Sequence, residues 1–128
     1  MSQLLLDTHA LLWWATDDDR LPTSARDAII AADVVYASDA TLWELCAKSS
    51  IGKLRLSPNA ATWFEQQLRL SRIARLSITR HHIAAVENLP LHHRDPFDRL
   101  LICQAFEENL TVVTTDGKFT AYAVPTLW

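Results

Sequence analysis

Two carboxylates, Asp95 and Asp98, stand where a helix is predicted to begin in the segment Leu91–Ala105. Apolar residues follow with helical spacing, and Pro96 suits the first helical position, where its missing N–H costs nothing. These residues alone leave two interpretations open. In the first, Asp95 caps the helix and Asp98 completes a capping-box-like pair that favours the helix dipole. In the second, Asp98 points out of the helix start into a cleft and binds a cation.

Three further acids occupy positions where chemistry is expected. Asp7 follows a short apolar segment at the N-terminus, Asp116 follows a late apolar segment, and Glu44 lies within an apolar helical pattern. Each has an ordinary structural interpretation: a helix cap for Asp7, an exposed helix stripe for Glu44 and an Asp-Gly turn for Asp116. Together with Asp98, however, four acids converging on one edge would repel strongly. A hard divalent cation relieves that repulsion, because carboxylate oxygens suit Mg²⁺ or Mn²⁺.

Hydrophobic periodicity and turn signals predict the elements that must position these acids. The predicted strands are Gln3–Leu6, Asp33–Ser38, Ala74–Ile78, Thr111–Thr114 and Val124–Leu127. The predicted helices are Thr8–Ala15, a helix opened by Leu21–Ser24, Ala40–Ser50, Ala60–Arg72, a helix from Thr79 to about Leu89, and the helix behind Asp95. Helical crossovers call for an α/β fold with a mostly parallel sheet of four to five strands, covered on both faces. Functional groups then gather beyond the carboxyl ends of the strands.

Composition limits the class of protein. The 128 residues suffice for one compact domain, and 49% hydrophobic with 21% charged residues fit a soluble globular fold. A net charge of −3 gives no global basic surface, so attraction to nucleic acid must be local or carried by a metal. Two glycines are too few for a phosphate-cradling glycine loop.

Compartment signals are consistent with a cytoplasmic protein. No basic region precedes the N-terminal apolar run, so no signal peptide is expected. No run approaches the ~20 apolar residues of a membrane span, so no membrane association is expected. Cys46 and Cys103 lie within apolar helical patterns. They are expected to be buried free thiols in a reducing compartment, not a disulfide or a zinc site.

The combined motifs resemble PIN-domain ribonucleases, in particular the VapC toxins of VapBC toxin–antitoxin modules. The resemblance runs along the whole chain through LLLDTHALLWW, SDATLWELCAKSSIGKL, LPLHHRDPFDRLLICQA and LTVVTTDGKF with its closing VPTLW. It implies a three-layer α/β/α PIN-like fold in a single PIN domain over residues 1–128. It places the family's acidic quartet on Asp7, Glu44, Asp98 and Asp116, all of which are present.

The resemblance implies a metal-dependent endoribonuclease. Asp7, Asp98 and Asp116 are expected to bind Mg²⁺ or Mn²⁺, and Glu44 to bind a second ion or orient the nucleophile. Asp95 matches an additional acid of this subgroup. Residues expected to support the acids or contact the RNA are Asp95, Thr8, Thr115, His93, Arg94 and Arg99. The five histidines are otherwise expected to lie at the surface or in loops. A second stretch is expected to be a solvated face able to guide RNA, and it contains Arg69, Arg72, Arg75 and Arg80.

The same resemblance implies partners. These are an RNA substrate (tRNA, rRNA or mRNA), a VapB-like antitoxin, and a second copy in a homodimer that forms a hetero-oligomer with the antitoxin. The first, second and fourth helices carry more large apolar side chains than one inner stripe requires, namely Leu12, Trp13, Trp14, Ile29, Trp63 and Phe64. A groove between these helices would suit an amphipathic antitoxin helix.

Two other functions compete with this one. A receiver-like phospho-acceptor domain needs an acceptor acid after a middle strand and a late lysine. Asp39 and Lys118 are poor candidates and explain neither Glu44 nor Asp98. A PIN domain that acts in RNA processing without being a toxin, or that only binds RNA or protein, is the alternative within the family. The intact set of acids disfavours a role limited to binding.

Overall fold

Five parallel strands form the central sheet in the computed structural model, which describes residues 2–128. They are β1 (Gln3–Leu6), β2 (Val34–Ser38), β3 (Ala74–Leu76), β4 (Thr111–Val113) and β5 (Thr126–Leu127). Their order is β3-β2-β1-β4-β5, and every neighbouring pair is parallel. The predicted mostly parallel sheet is therefore confirmed. β5 is shorter than predicted because Pro125, which lacks an N–H, precedes it.

Six α-helices connect the strands within the described residues 2–128. They are α1 (Thr8–Ala15), α2 (Thr23–Ala31), α3 (Asp39–Ser50), α4 (Ala60–Ser71), α5 (Arg80–Val86) and α6 (Pro96–Glu108), and a 3₁₀ turn lies at Thr120–Tyr122. α5 ends before the predicted Leu89, because turn bonds from Asn88 to Ala85 and from Leu89 to Val86 replace the helical pattern. None of the helices in residues 2–128 is long and apolar enough to cross a membrane.

The continuous apolar strands are explained by burial on both faces of the sheet. Leu4 and Leu6 of β1 belong to one hydrophobic cluster, with α1, α2 and α4, whereas Leu5 belongs to a second cluster, with α6. Adjacent residues of a strand point to opposite faces, so a sheet covered on both sides requires an unbroken apolar run. The two clusters give the three-layer α/β/α architecture. Cys46 and Cys103 are free thiols, the first half-buried and the second buried.

Most of the side chains predicted to line a partner groove are part of the core. Phe64 is fully buried, and Ile29 and Trp63 are 6% and 8% exposed. They pack in the cluster that also contacts Leu12, Trp13 and Trp14. The apparent surplus of large apolar residues in these helices is therefore chiefly core packing, which helical periodicity alone did not reveal.

The strand order places the site. From β1 the chain moves outward to β2 and β3, and it then returns to β4 on the other side of β1. This reversal creates a crevice at the carboxyl ends of β1 and β4, where parallel α/β folds bind ligands. Leu6 pairs with Val113, and the Asp7 N–H donates to the Val113 carbonyl at 3.2 Å. The residues that follow these two strands consequently meet.

Candidate active site

Asp7 is the buried acid at the end of β1. Its Oδ1 accepts a hydrogen bond from the Ala10 N–H at 2.8 Å, so Asp7 does cap α1. Burial raises the pKa of Asp7, hydrogen bonds from Thr114 and Ala10 oppose that rise, and the charge of Asp116 adds to it. The cap and the cleft acid are therefore the same residue.

Asp116 lies in the turn after β4. Its Oδ1 accepts from the Lys118 N–H at 2.9 Å, and its own N–H donates to Thr114 Oγ1 at 3.0 Å. The backbone turn closes with a bond from the Phe119 N–H to the Asp116 carbonyl at 3.2 Å. Thr114 thus contacts both Asp7 and Asp116, and it holds the two strand ends together.

The two acids at the start of α6 have different surroundings. Asp95 Oδ1 accepts from the N–H groups of Phe97 and Asp98 at 2.9 and 3.0 Å. Asp98 does not return the bond, because the Asp95 N–H donates to His93 Nδ1 at 3.3 Å. The predicted capping-box-like pair is therefore wrong in its second half: Asp95 caps the helix alone. Within residues 2–128, no donor bonds to the Asp98 carboxylate.

The pKa of Asp98 is affected by the other acids of the cleft. Burial, followed by the charges of Asp95, Glu44, Asp116 and Asp7, raises its pKa to about 7. Other charges raise the pKa of a carboxyl group appreciably only when they lie close to it. The charges of Glu44, Asp116 and Asp7 therefore act on the Asp98 carboxyl, and the convergence of the four acids on one cation stays a prediction.

Glu44 lies inside the fold and not on an exposed helix stripe. It is 6% exposed, and its Oε1 accepts from the Thr8 hydroxyl at 2.7 Å. Its Oε2 pairs with Lys48 Nζ at 2.5 Å across one turn of α3. Thr8 directly follows Asp7, so this contact joins α3 to the end of β1. Lys48 was missed at the sequence level, although a Glu with a Lys four residues later was a usable signal.

The donors fit a hard divalent cation by their chemistry. Carboxylate oxygens dominate the cleft, and the unpartnered Asp98 carboxylate lies amid like charges that a cation would neutralise. In the described part of the chain, no three His, Cys, Asp or Glu side chains come close enough together to hold a metal ion. The acids therefore lie around the cleft without forming a closed set of three ligands.

Arg99 and Tyr122 hold the loop that precedes α6. The Arg99 guanidinium donates to the carbonyls of Pro90 and Leu89 at 2.9 and 3.2 Å, and to the Tyr122 hydroxyl at 3.0 Å. The same hydroxyl accepts from the N–H groups of His92 and His93 at 3.1 and 3.2 Å. The Arg99 guanidinium therefore supports the loop, and its contact with an RNA phosphate stays a prediction. Tyr122 was missed, because no local pattern links it to a loop 30 residues earlier.

The remaining predicted residues differ in their surroundings. The ring of His93 packs edge-on against Tyr122, and its Nε2 is buried without a partner among the described residues. Arg94 and Thr115 are exposed, beside Asp95 and Asp116 respectively. Asp39, the acceptor required by a receiver-like domain, is instead paired with Arg75 at 2.5 Å.

Comparison with known proteins agrees with this arrangement. The family model described as PIN domain matches residues 4–125. Ribonuclease VapC22 from Mycobacterium tuberculosis is 28% identical over 132 residues, covering 100% of both chains. The crystal structure of a DNA-bound VapBC from Salmonella typhimurium is similar with a TM-score of 0.69 at 18% identity, covering 100% of this chain and 98% of that one. VapBC2 from Rickettsia felis, bound to a DNA fragment from its promoter, gives 0.67 at 18% identity over 98% and 97%.

The structural likenesses, at such low identity, establish the fold alone. The family match spans nearly the whole chain, and the chain therefore belongs to the PIN-domain family.

Proposed function

We propose that this chain is a VapC-type toxin: a metal-dependent endoribonuclease, built as a single PIN domain over residues 1–128. The observation that carries the proposal is the meeting of acids at the ends of β1 and β4: Thr114 contacts both Asp7 and Asp116. Asp98, to which no donor bonds among residues 2–128, has its pKa raised to about 7 by burial and by the charges of the other acids. Membership of the PIN family and the similarity to Ribonuclease VapC22 support the reaction class.

Each acid has a role in this proposal. Asp7, Asp98 and Asp116 hold Mg²⁺ or Mn²⁺, and Glu44 either joins a second ion or orients the attacking water. When bound, the metal polarises the phosphoryl group, lowers the pKa of the attacking water and stabilises the leaving oxygen. Thr8 and Lys48 fix the two oxygens of Glu44 in place.

Neighbouring residues serve binding. Asp95 positions Asp98 by capping α6, and Thr114 aligns Asp7 with Asp116. The exposed Arg94 and Thr115 are placed to contact RNA phosphates, which are recognised by charge and by hydroxyl donors. His93 supports the loop through Tyr122, and because its Nδ1 accepts from the Asp95 N–H, the ring proton lies on Nε2, which is a further donor.

The proposal is tested by mapping cellular RNA ends after brief expression. The wild-type chain should create a small set of new 5′ ends in tRNA, rRNA or mRNA, and Asp98→Asn should create none. Asp27→Asn, a substitution at an exposed residue of α2, serves as the matched control and should cleave like the wild type. Identical end maps for the wild type and Asp98→Asn, with both chains folded, would exclude the nuclease assignment.

We also propose an antitoxin partner for this chain in the cytoplasm. The similar solved structures are VapBC assemblies, and this chain has a cavity of about 470 Å³ at the ends of α2 and α4. Trp14 and the 73% exposed Ile30 line it, with Arg72 alongside. An apolar antitoxin segment would fill this cavity, and an antitoxin Arg or Lys would be attracted by the acids of the cleft.

The partner is tested by titrating the purified chain with the product of an adjacent reading frame. Binding should weaken when Trp14 is replaced by Ala, while cleavage by the free chain changes little. Thr23→Ala, at an exposed position in α2, is the control. The absence of a complex at micromolar concentration would remove the toxin assignment and leave the nuclease assignment intact.

A homodimer completes the proposal. α3, α5 and α6 border an apolar groove of about 440 Å³ that includes Trp43, Ile83 and Val86. Trp43 is 51% exposed and Ile83 60%, which is unusual for large apolar side chains that lie in one groove. Burial of this groove against a second copy would explain both. Light scattering should show a dimer for the wild type and a monomer for Ile83→Asp, whereas Leu70→Asp, on the exposed face of α4, should stay dimeric.

A further inference from the structure

A buried polar network joins the start of α3 to the middle of α6. The Ser38 hydroxyl donates to Gln104 Oε1, and Ser38 Oγ also accepts from the Ala40 N–H at 2.9 Å, which caps α3. The Gln104 amide nitrogen lies 3.3 Å from His82 Nδ1 and 3.4 Å from the Ser77 carbonyl. Ser38 and Gln104 are completely buried.

The network continues through His82, which is 1% exposed; the prediction of a surface or loop histidine is wrong here. His82 Nδ1 accepts from the Thr79 N–H at 3.0 Å as well as from Gln104. The ring proton therefore resides on Nε2, which donates to Glu108 Oε2 at 2.9 Å. Among the described residues, no atom of this network is buried without a partner. Burial of so many polar groups is tolerated only in the one packing that pairs them all.

The network connects the two helices that carry facing acids. Ser38 caps α3, which carries Glu44, and Gln104 lies in α6, which begins beside Asp98. α3 and α6 pack against each other, and the bond between Ser38 and Gln104 fixes the start of α3 against the middle of α6 from inside the core. A shift of either helix would therefore change the separation of Glu44 and Asp98.

We propose that Gln104 is a positioning residue: through Ser38 it holds Glu44 and Asp98 at the separation that binding of a divalent cation requires. The inference rests on the proposed function, because it assumes that these acids bind Mg²⁺ or Mn²⁺. Gln104 contacts neither the acids nor the substrate. It acts by fixing α3 against α6 before the cation arrives, so that less of the binding energy is spent on ordering the two helices.

The test measures Mn²⁺ binding to the metal-free full-length chain by electron paramagnetic resonance, independently of cleavage. Gln104→Met keeps the length of the side chain and removes its hydrogen bonds, whereas Ser38→Ala removes the other end of the same bond. Each should raise the Kd for Mn²⁺ by about tenfold, as loss of a group that orients metal ligands commonly does. The double variant should bind more tightly than the two single effects multiplied together predict, because the Ser38–Gln104 bond is lost in all three, whereas the cap of α3 and the bonds to His82 and Ser77 are lost separately. At saturating Mn²⁺, kcat should stay within about threefold of wild type, since the acids themselves are intact.

Ile102→Val is the matched control, a buried residue of α6 outside the network. Its Kd for Mn²⁺ should equal that of the wild type at a temperature where circular dichroism shows every variant folded. If Gln104→Met matches this control, or if the effects of Ser38→Ala and Gln104→Met add, the inference is overturned and the proposed function stands. If Gln104→Met does not fold, the comparison of Ser38→Ala with Ile102→Val decides by the same criterion. If the wild type neither binds Mn²⁺ nor cleaves RNA, both the inference and the proposed function fall.

Discussion

Removal of the Asp98 charge should stabilise the metal-free chain at neutral and alkaline pH. In the folded chain, burial and the charges of Asp95, Glu44, Asp116 and Asp7 raise the pKa of Asp98 from 3.8 to about 7. The folded state therefore binds a proton more tightly than the unfolded state. Stability from this group is present below pH 4 and is lost progressively as the pH rises through 7. Asp98→Asn keeps the shape of the side chain and cannot ionise.

The magnitude follows from the size of the rise. A change from 3.8 to about 7 corresponds to about 4 kcal/mol at 1.36 kcal/mol per pKa unit, of which about two thirds falls between pH 5 and pH 8. Asp98 is only partly buried, and solvent screening reduces the effect within that range to about 1–2 kcal/mol. Loss of the favourable interaction with the α6 dipole costs the variant about 0.5 kcal/mol at pH 8.

The assay is urea unfolding in EDTA at pH 5 and pH 8. The free energy of unfolding of Asp98→Asn minus that of the wild type should increase by about 1–2 kcal/mol between the two pH values. Because burial also raises the pKa of Asp7, the wild type alone would overstate the effect, and the difference isolates Asp98. Asp27→Asn should track the wild type at both pH values.

Two results would refute this reasoning. The first is a difference between Asp98→Asn and the wild type that does not change with pH, which would mean that Asp98 ionises normally and the acids do not converge. The second is a wild type whose stability rises from pH 5 to pH 8 by more than that of the variant. Addition of Mg²⁺ at pH 8 should stabilise the wild type and not the variant, because only a chain that binds the ion when folded gains from it.

Further predictions concern the site and its supports. Asp95→Ser should keep most RNA cleavage, since Ser caps a helix about as well as Asp, whereas Asp98→Ser should be inactive in the same gel assay. Cleavage should cease in EDTA and return with Mg²⁺ or Mn²⁺, while Ca²⁺ should bind in calorimetry and support little turnover. Tyr122→Phe should lose about 1–3 kcal/mol in urea unfolding, because it leaves the N–H groups of His92 and His93 and the Arg99 guanidinium short of an acceptor. A loss below about 0.5 kcal/mol would show that water replaces the hydroxyl.

Local pattern was sufficient for most of the fold. Apolar runs such as Leu4–Leu6 predicted strands buried on both faces, and Asp95 with Pro96 predicted the start of α6. Parallel pairing followed from the alternation of strands and helices, because helical crossovers impose it. The strand order did not follow, and it is the order that makes β1 and β4 neighbours and brings Asp7 and Asp116 together.

Contacts between residues far apart in the sequence could not be predicted from local pattern. Arg99 is an ordinary cation at the sequence level, and only the fold places its guanidinium beside Tyr122, 23 residues later. Likewise, His82 lies in the short helix α5, whose hydrophobic pattern is weak. Its burial depends on Gln104 of α6. Periodicity also could not separate a core stripe from a partner groove in α4, because Trp63 and Phe64 satisfy either requirement.

The structural and chemical interpretations of the acids are not alternatives. Asp7 caps α1 and Asp116 closes a turn, in each case with Oδ1 bound to a backbone N–H. A backbone bond to one oxygen fixes the carboxylate plane, so the cap is what orients the acid. The Asp98 carboxylate lacks such a bond, and its orientation depends on Asp95. Asp95 accepts a hydrogen bond from the Asp98 N–H and orients the start of α6. Caps and turns in this fold therefore place carboxylates as well as ending helices, which is why an acid can be an ordinary cap by every local criterion and still belong to the site.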